Sequence, residues 1–133
     1  MPFEVTPFNL PCGAPAIRVE LIGILSVEGA RAHIKRVDPG GDLFGLPALV
    51  LMQRVVGSIS PEVRAAFAGR GDLGDREPWL AGVVTNPVIR VTGNFIIRVQ
   101  GARRTRLFAT EPEALLWLDE RVREDAVKGT GAP

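Results

Sequence analysis

The chain has 133 residues, of which 46% are apolar and 23% charged, and its formal net charge is +1. That composition is typical of one ordinary soluble domain, and so small a charge excludes a global field that attracts nucleic acid or acidic lipid. No apolar run approaches 18 residues, and a single cysteine, Cys12, excludes an intrachain disulfide, so we expect a cytoplasmic protein.

The N-terminal segment predicts a hairpin followed by a short helix. Residues 3–8 are typical of an edge strand that Pro7 ends, and residues 17–25 alternate apolar and polar side chains as a half-buried strand does. Ser26 is suited to cap a helix over residues 27–37.

The middle of the chain predicts two buried strands with a helix between them. Residues 48–56 are nearly continuously apolar and rich in valine and leucine, which favours a central strand covered on both faces. Ser60 followed by Pro61 is a helix N-cap with proline at the first helical position, and this helix ends near Gly69. Residues 80–84 form the second buried strand.

Residues 88–100 fit two structures equally well. The odd positions are apolar and alternate with polar ones, and the β-branched content also favours a strand. Yet Arg90, Asn94 and Arg98 recur every four residues, which leaves a wide apolar face on a helix. The pair Asn86-Pro87 is a good N-cap and first-turn combination, so local chemistry leaves both structures open.

The C-terminal segment predicts a short strand over residues 105–109 and then a helix. Thr110-Glu111-Pro112-Glu113 is a capping box, and one apolar stripe follows it. From about Lys128 the chain is small and polar, which predicts one domain over residues 1–127 and a disordered tail over 128–133. Strands that alternate with helices after an opening hairpin predict an α/β fold, a mixed sheet with helices packed on it.

The corner at residues 57–64 is the strongest candidate site. An apolar strand delivers two hydroxyls, Ser58 and Ser60, to the open end of a helix, where backbone N–H groups can hold an anion or present a modifiable serine. Glu62 and Arg64 complete the candidates for partner contact. The alternative is that Ser60 is a helix cap and nothing more.

The chain has one local basic patch, which lies within residues 90–106 next to apolar residues. Together with residues 95–97 it resembles an interfacial amphipathic helix, which suits a protein or anionic-lipid contact. A solvated basic edge that balances the acidic residues of the last helix is the alternative, and nucleic acid is not expected because the basic surplus is too small. The patch consists of Arg90, Arg98, Arg103, Arg104 and Arg106.

Three segments of the chain resemble those of a known protein family. Residues 57–64 (GSISPEVR) resemble the GSISPEAR signature of small bacterial STAS-like proteins with the SpoIIAA-like fold. Residues 108–118 (FATEPEALLWL) resemble the FxTxxxAxxWL ending of these proteins, and residues 83–90 fit their strand and the amphipathic helix after it. The likeness covers roughly residues 17–122 and favours a helix over residues 88–100.

The resemblance implies a mixed sheet with helices around it and a regulatory role through protein contacts. In the anti-sigma-factor antagonist branch, a partner kinase phosphorylates a serine at the start of the helix after the central strand. That serine matches Ser60, or less well Ser58, while Ile59 stands where the antagonists carry an aspartate. The CRAL-TRIO lipid-binding fold is also invoked for these relatives, which keeps an apolar ligand open.

The sequence therefore predicts a non-enzymatic regulatory or scaffolding module that binds a protein partner, a kinase or another regulator, through residues 57–64. The alternatives are a carrier of an apolar or lipid ligand between the sheet and residues 88–100, and membrane-surface association through residues 88–106. A homodimer also stays open. We expect no cofactor and no metal, because His33 is the only histidine and no nucleophile–base pair is evident.

Overall fold

Within the part of the chain that the structure describes, five strands form a single sheet in chain order. The structure, a computed structural model, describes residues 3–55, 60–68, 78–99 and 104–131, and for residues 64, 67, 68, 96 and 128–131 it describes the backbone alone. The first two strands are antiparallel and every later pair is parallel, as predicted for a mixed sheet with an N-terminal hairpin. The strands are β1 (Phe3–Asn9), β2 (Pro15–Gly23), β3 (Ala48–Val55), β4 (Leu80–Val83) and β5 (Thr105–Phe108).

The hairpin differs from the prediction at two positions. Pro7 lies inside β1 instead of ending it, opposite Ile17 of β2. β1 is an edge strand, and an edge tolerates proline because one side of the strand needs no N–H donor. β2 ends at Gly23 instead of Leu25, because Gly23 has a φ of 73°, a conformation that glycine adopts without steric cost.

The described residues form four helices that connect and follow the strands, and side chains cap the helix starts. The Oγ atom of Ser26 accepts a hydrogen bond from the Gly29 N–H at 3.1 Å, as the sequence predicts. At the last helix, Thr110 Oγ1 accepts from the Glu113 N–H at 3.4 Å and donates to Glu113 Oε1 at 2.9 Å. The helices are α1 (Val27–Val37), α2 (Pro61–Ala68), α3 (Pro87–Val99) and α4 (Glu111–Gly131).

The ambiguous segment is a helix. Asn86 Oδ1 accepts hydrogen bonds from the N–H groups of Val88 at 2.9 Å and Ile89 at 3.3 Å, so the cap supplies an acceptor for two donors that a helix start leaves open. This start is a local effect, and it prevails over the strand preference of the β-branched residues in α3.

The two faces of the sheet carry separate hydrophobic cores. On one face α1 and α2 supply Ala30 and Val63, which pack in the same cluster as Ile17, Val19 and Val50 of the sheet. On the other face α4 supplies Ala114 and Leu118, which belong to a cluster with Leu49, Leu51 and Val83. β3 contributes to both cores, which confirms the prediction of a central strand covered on both faces.

α3 lies against β5, on the same face as α1 and α2. The side chain of Leu107 points to that face, and its methyl groups come within 2.6 Å of the positions that a Cβ would take on Gly82 of β4 and on Gly93 of α3. Met52, whose methyl group is 3.6 Å from the Gly82 position, packs against the core under α1 and α2. Two glycines therefore let α3 approach the sheet closely.

The C-terminal helix is longer than predicted. α4 continues to Gly131, past Lys128, where the sequence predicts the start of a tail. The domain boundary at residue 127 stays a prediction.

Candidate functional site

The corner before α2 presents a helix start with Ser60 as its cap. Ser60 Oγ accepts a hydrogen bond from the Val63 N–H at 3.3 Å. Ser60 is half-buried, Pro61 and Glu62 are exposed, and Val63 is buried in the core under α1 and α2. The corner thus has one anchor in the protein interior and a polar side open to solvent.

Part of the predicted site lies outside the described residues. Ser58 falls in the segment 56–59, and the side chain of Arg64 is also outside what the structure describes. Ser60 and Glu62 are therefore the two predicted corner residues whose side chains have a described environment.

Two arginines of the predicted basic patch make contacts with other parts of the protein. Arg90 Nη1 donates to the carbonyl oxygens of Val84 at 3.1 Å and Thr85 at 3.4 Å, which ties α3 to the end of β4. Arg104 Nη1 donates to Asp125 Oδ2 at 3.2 Å, and its guanidinium lies 4.6 Å from the ring centre of Trp79.

The remaining arginines of the patch differ from these two. Arg98 and Arg106 are exposed, and the guanidinium of Arg106 lies 5.4 Å from the ring centre of Phe108. Neither makes an ion pair within the described ranges of the chain. Arg103 lies outside the described residues. Among the described residues, Arg90 and Arg104 thus have internal partners while Arg98 and Arg106 are exposed, and a shared basic surface stays a prediction.

α3 turns its apolar side to solvent. Four of its large apolar side chains follow one line at spacings of three and four residues, and each is between 64% and 72% exposed: Val88, Val91, Phe95 and Val99. We call these four residues the α3 stripe. Ile89, next to the stripe, is 58% exposed. Burying such a face is what an amphipathic helix in a globular domain ordinarily does, so this exposure is unusual.

The inward side of α3 is held largely by polar contacts. Asn94 Oδ1 accepts from the Leu107 N–H at 2.9 Å, and Asn94 Nδ2 donates to the Leu107 carbonyl oxygen at 3.1 Å. The Asn94 side-chain amide thus binds both the N–H and the carbonyl group of Leu107, a residue of the edge strand β5. The sequence alone does not predict this role for Asn94, although its place in a polar row with Arg90 and Arg98 marks it as a polar position on α3.

The side chain of Leu107 lies in part of the predicted ligand space between the sheet and α3. Its two methyl groups stand between Gly82 and Gly93. A cleft of about 390 Å³ lies elsewhere, next to Trp79, Arg104 and Asp125. The carrier hypothesis therefore stays a prediction without support from this position.

Half-buried Asp125 and buried Asp119 both accept hydrogen bonds from neighbouring residues. Asp125 Oδ2 accepts from Trp79 Nε1 at 2.6 Å and from Arg104. Asp119, 5% exposed, accepts from the Cys12 N–H at 2.9 Å and from Arg123 Nε at 2.7 Å. Burial by itself would raise the pKa of Asp119, but the hydrogen bonds from Cys12 and Arg123 and the charge of Arg123 outweigh it and lower the pKa.

The described part of the chain shows no cluster of three or more histidine, cysteine, aspartate or glutamate side chains suited to a metal ion. In those same ranges, no helix has the length and apolar character needed to cross a membrane.

No protein-family model matches the sequence, and no curated protein matches it. Among solved structures, the chain is similar to an uncharacterised protein of the DUF3478 family with a SpoIIAA-like fold, from Shewanella loihica PV-4. The TM-score is 0.61 at 16% sequence identity, and the match covers 87% of this chain and 93% of that one. This likeness shows that the chain has a SpoIIAA-like fold, as the sequence predicts.

Proposed function

We propose that this chain is a non-enzymatic regulatory or scaffolding module that binds a protein partner through the corner at residues 57–64. The observation that carries the proposal is the start of α2, where Ser60 caps the helix and Pro61 and Glu62 face solvent.

Modification of Ser60 is the regulatory part of the proposal. A phosphate on Ser60 Oγ would lie at the positive end of the α2 dipole, where its oxygens can accept hydrogen bonds from the open N–H groups of the first turn. The phosphate would also add negative charge near exposed Glu62, so the charge that the corner presents to a partner would change strongly.

The test compares capture of partners from extract of the native host. We expect Glu62→Lys to lose partners that the wild type retains, because it reverses the one exposed charge of the corner that the structure describes. Ser60→Glu should change the captured set in the same direction as phosphorylation. The intact mass of protein purified from the host should show the addition of one phosphate.

Two variants separate binding from stability. Ser60→Ala removes the cap of α2, and Ser26→Ala removes the equivalent cap of α1, so both lose about 1 kcal/mol of stability. Capture should be affected in the first and unchanged in the second. Identical capture by the wild type, Ser60→Glu and Glu62→Lys would contradict the proposal.

A further inference from the structure

The α3 stripe is a preformed apolar strip on the surface. An isolated helix of 13 residues is only marginally stable in water. A free peptide of this sequence would therefore lose conformational entropy when it became helical on binding. Here Asn94 and Arg90 already fix the helix to β5 and to the end of β4. The stripe is therefore displayed in its binding conformation.

The segment that contains the stripe carries no negative side chain, because all 15 acidic residues lie outside residues 78–110. Arg98 is exposed on α3 itself, between Phe95 and Val99 in the chain. This exposed positive charge next to the stripe favours a negatively charged binding surface.

The dimensions of the stripe do not suit a stable dimer. α3 is about 20 Å long and about 10 Å wide with its side chains, and a stable protein interface needs roughly 800 Å² on each partner. One helix face of this size is too small by a wide margin. A flat anionic surface that also attracts Arg98 needs no such area from the stripe alone.

We infer that α3 docks on the surface of an anionic membrane, with its axis parallel to the bilayer. In that arrangement the α3 stripe enters the boundary between headgroups and acyl chains, and Arg98 meets lipid phosphates. This surface is separate from the start of α2, so the inference does not rest on the partner proposed for residues 57–64.

The test is co-sedimentation of the full chain with vesicles. We expect binding to an equal mixture of phosphatidylcholine and phosphatidylglycerol, and much weaker binding to phosphatidylcholine alone. Phe95→Asp should lower the partition coefficient about tenfold or more, because it places a charge in the centre of the stripe. The matched control is Leu116→Asp on α4, which changes a residue that is equally exposed, at 62%, and should leave binding unchanged.

A second pair of variants tests the electrostatic part. Arg98→Glu should weaken binding several-fold and reduce its dependence on salt, whereas Arg31→Glu on α1 should have little effect. Val91→Asp repeats the stripe test at a second position, and circular dichroism checks that each variant keeps its fold.

Three results would overturn the inference. The first is equal binding of the wild type to neutral and anionic vesicles. The second is unchanged vesicle binding in both Phe95→Asp and Val91→Asp. The third is a wild type that does not bind vesicles and sediments as a dimer, while Phe95→Asp sediments as a monomer. That result would assign the stripe to contact with a second copy of the chain. Phe95→Asp should capture the same protein partners as the wild type. A negative result with vesicles therefore leaves the proposal for residues 57–64 unaffected.

Discussion

Asn94 completes the hydrogen bonding of an edge strand. β5 has a sheet neighbour on one side, and on the other side the N–H and carbonyl groups of Leu107 bind the Asn94 amide. An edge strand with open backbone groups invites pairing with another chain. One side chain therefore positions α3 and closes this part of the edge.

We expect Asn94→Ala to lower the free energy of unfolding by about 1–3 kcal/mol, because two backbone groups of Leu107 lose their partners. The measurement is chemical denaturation. Thr92→Ala, an exposed position on the same helix, is the matched control and should stay within about 0.5 kcal/mol of the wild type. Equal stability of the two variants would show that solvent replaces the amide at no cost.

Asp119 links α4 to the turn after β1. Its two oxygens accept from the Cys12 N–H and from Arg123, and these contacts lower its pKa despite burial. A carboxylate whose pKa is lower in the folded than in the unfolded state stabilises the fold at pH values above its unfolded value of about 3.9. That contribution is lost as the pH falls through the folded pKa.

The expected result for Asp119→Asn is a stability difference from the wild type that is largest near neutral pH and shrinks below about pH 4. Unfolding measured by denaturant at a series of pH values checks this. Glu120→Gln, at the exposed neighbouring position, is the matched control and should stay within about 0.5 kcal/mol of the wild type at neutral pH. A difference that stays constant from pH 7 to the acid limit would contradict a lowered pKa.

At the scale of elements, α3 is unusual because its close packing depends on glycine and one leucine. Leu107 fits between Gly82 and Gly93, and a Cβ at either glycine would lie 2.6 Å from one of its methyl groups. The Leu107 side chain cannot move far from Gly93, because Gly82 of the sheet lies on its other side. The contact therefore holds α3 close to the sheet with few apolar side chains.

Gly93→Ala tests this contact against helix propensity. Alanine favours the helix by about 1 kcal/mol over glycine, but the new methyl group overpacks against Leu107 at a cost of about 1–3 kcal/mol. We expect a net loss of stability in thermal or denaturant unfolding. Leu107→Val in the same chain should recover part of that loss, so the two changes are non-additive. A net gain in Gly93→Ala alone would show that Leu107 moves freely.

At the scale of the whole molecule, stability comes from two cores that share the sheet, and among the described helices α4 alone covers one of them. Leu118 of α4 is completely buried in that core, while Leu116, two residues earlier, is 62% exposed. The two leucines have the same chemistry on the same helix, so they measure burial directly.

Leu118→Ala should cost about 2–5 kcal/mol, and Leu116→Ala should stay within about 0.5 kcal/mol of the wild type. Denaturant midpoints of the two variants check the expectation. Similar losses in both would mean that Leu116 is also covered in solution, and a small loss in both would mean that the α4 core collapses around the missing side chain.

Much of the fold follows from the sequence through local effects. The caps at Ser26, Ser60, Asn86 and Thr110 place the four helix starts, and the alternation and apolar runs place the strands. The candidate site is less predictable. Ser60 is a cap as expected, but Arg90 and Arg104 have internal partners that lie on other elements, and no local pattern distinguishes them from Arg98 and Arg106.

By itself, the sequence determined the order of the elements and the type of most of them, because capping and periodicity act within a few residues. Residues 88–100, which form α3, are the exception, since local chemistry left strand and helix open there. Only the tertiary structure decided which side of α3 faces water. That choice depends on Asn94 and Leu107, 13 residues apart, and on Gly82 and Gly93 meeting the same side chain across the sheet. The apolar face of a helix can be read from its sequence, but whether that face is buried depends on which partners the sheet brings to the other side.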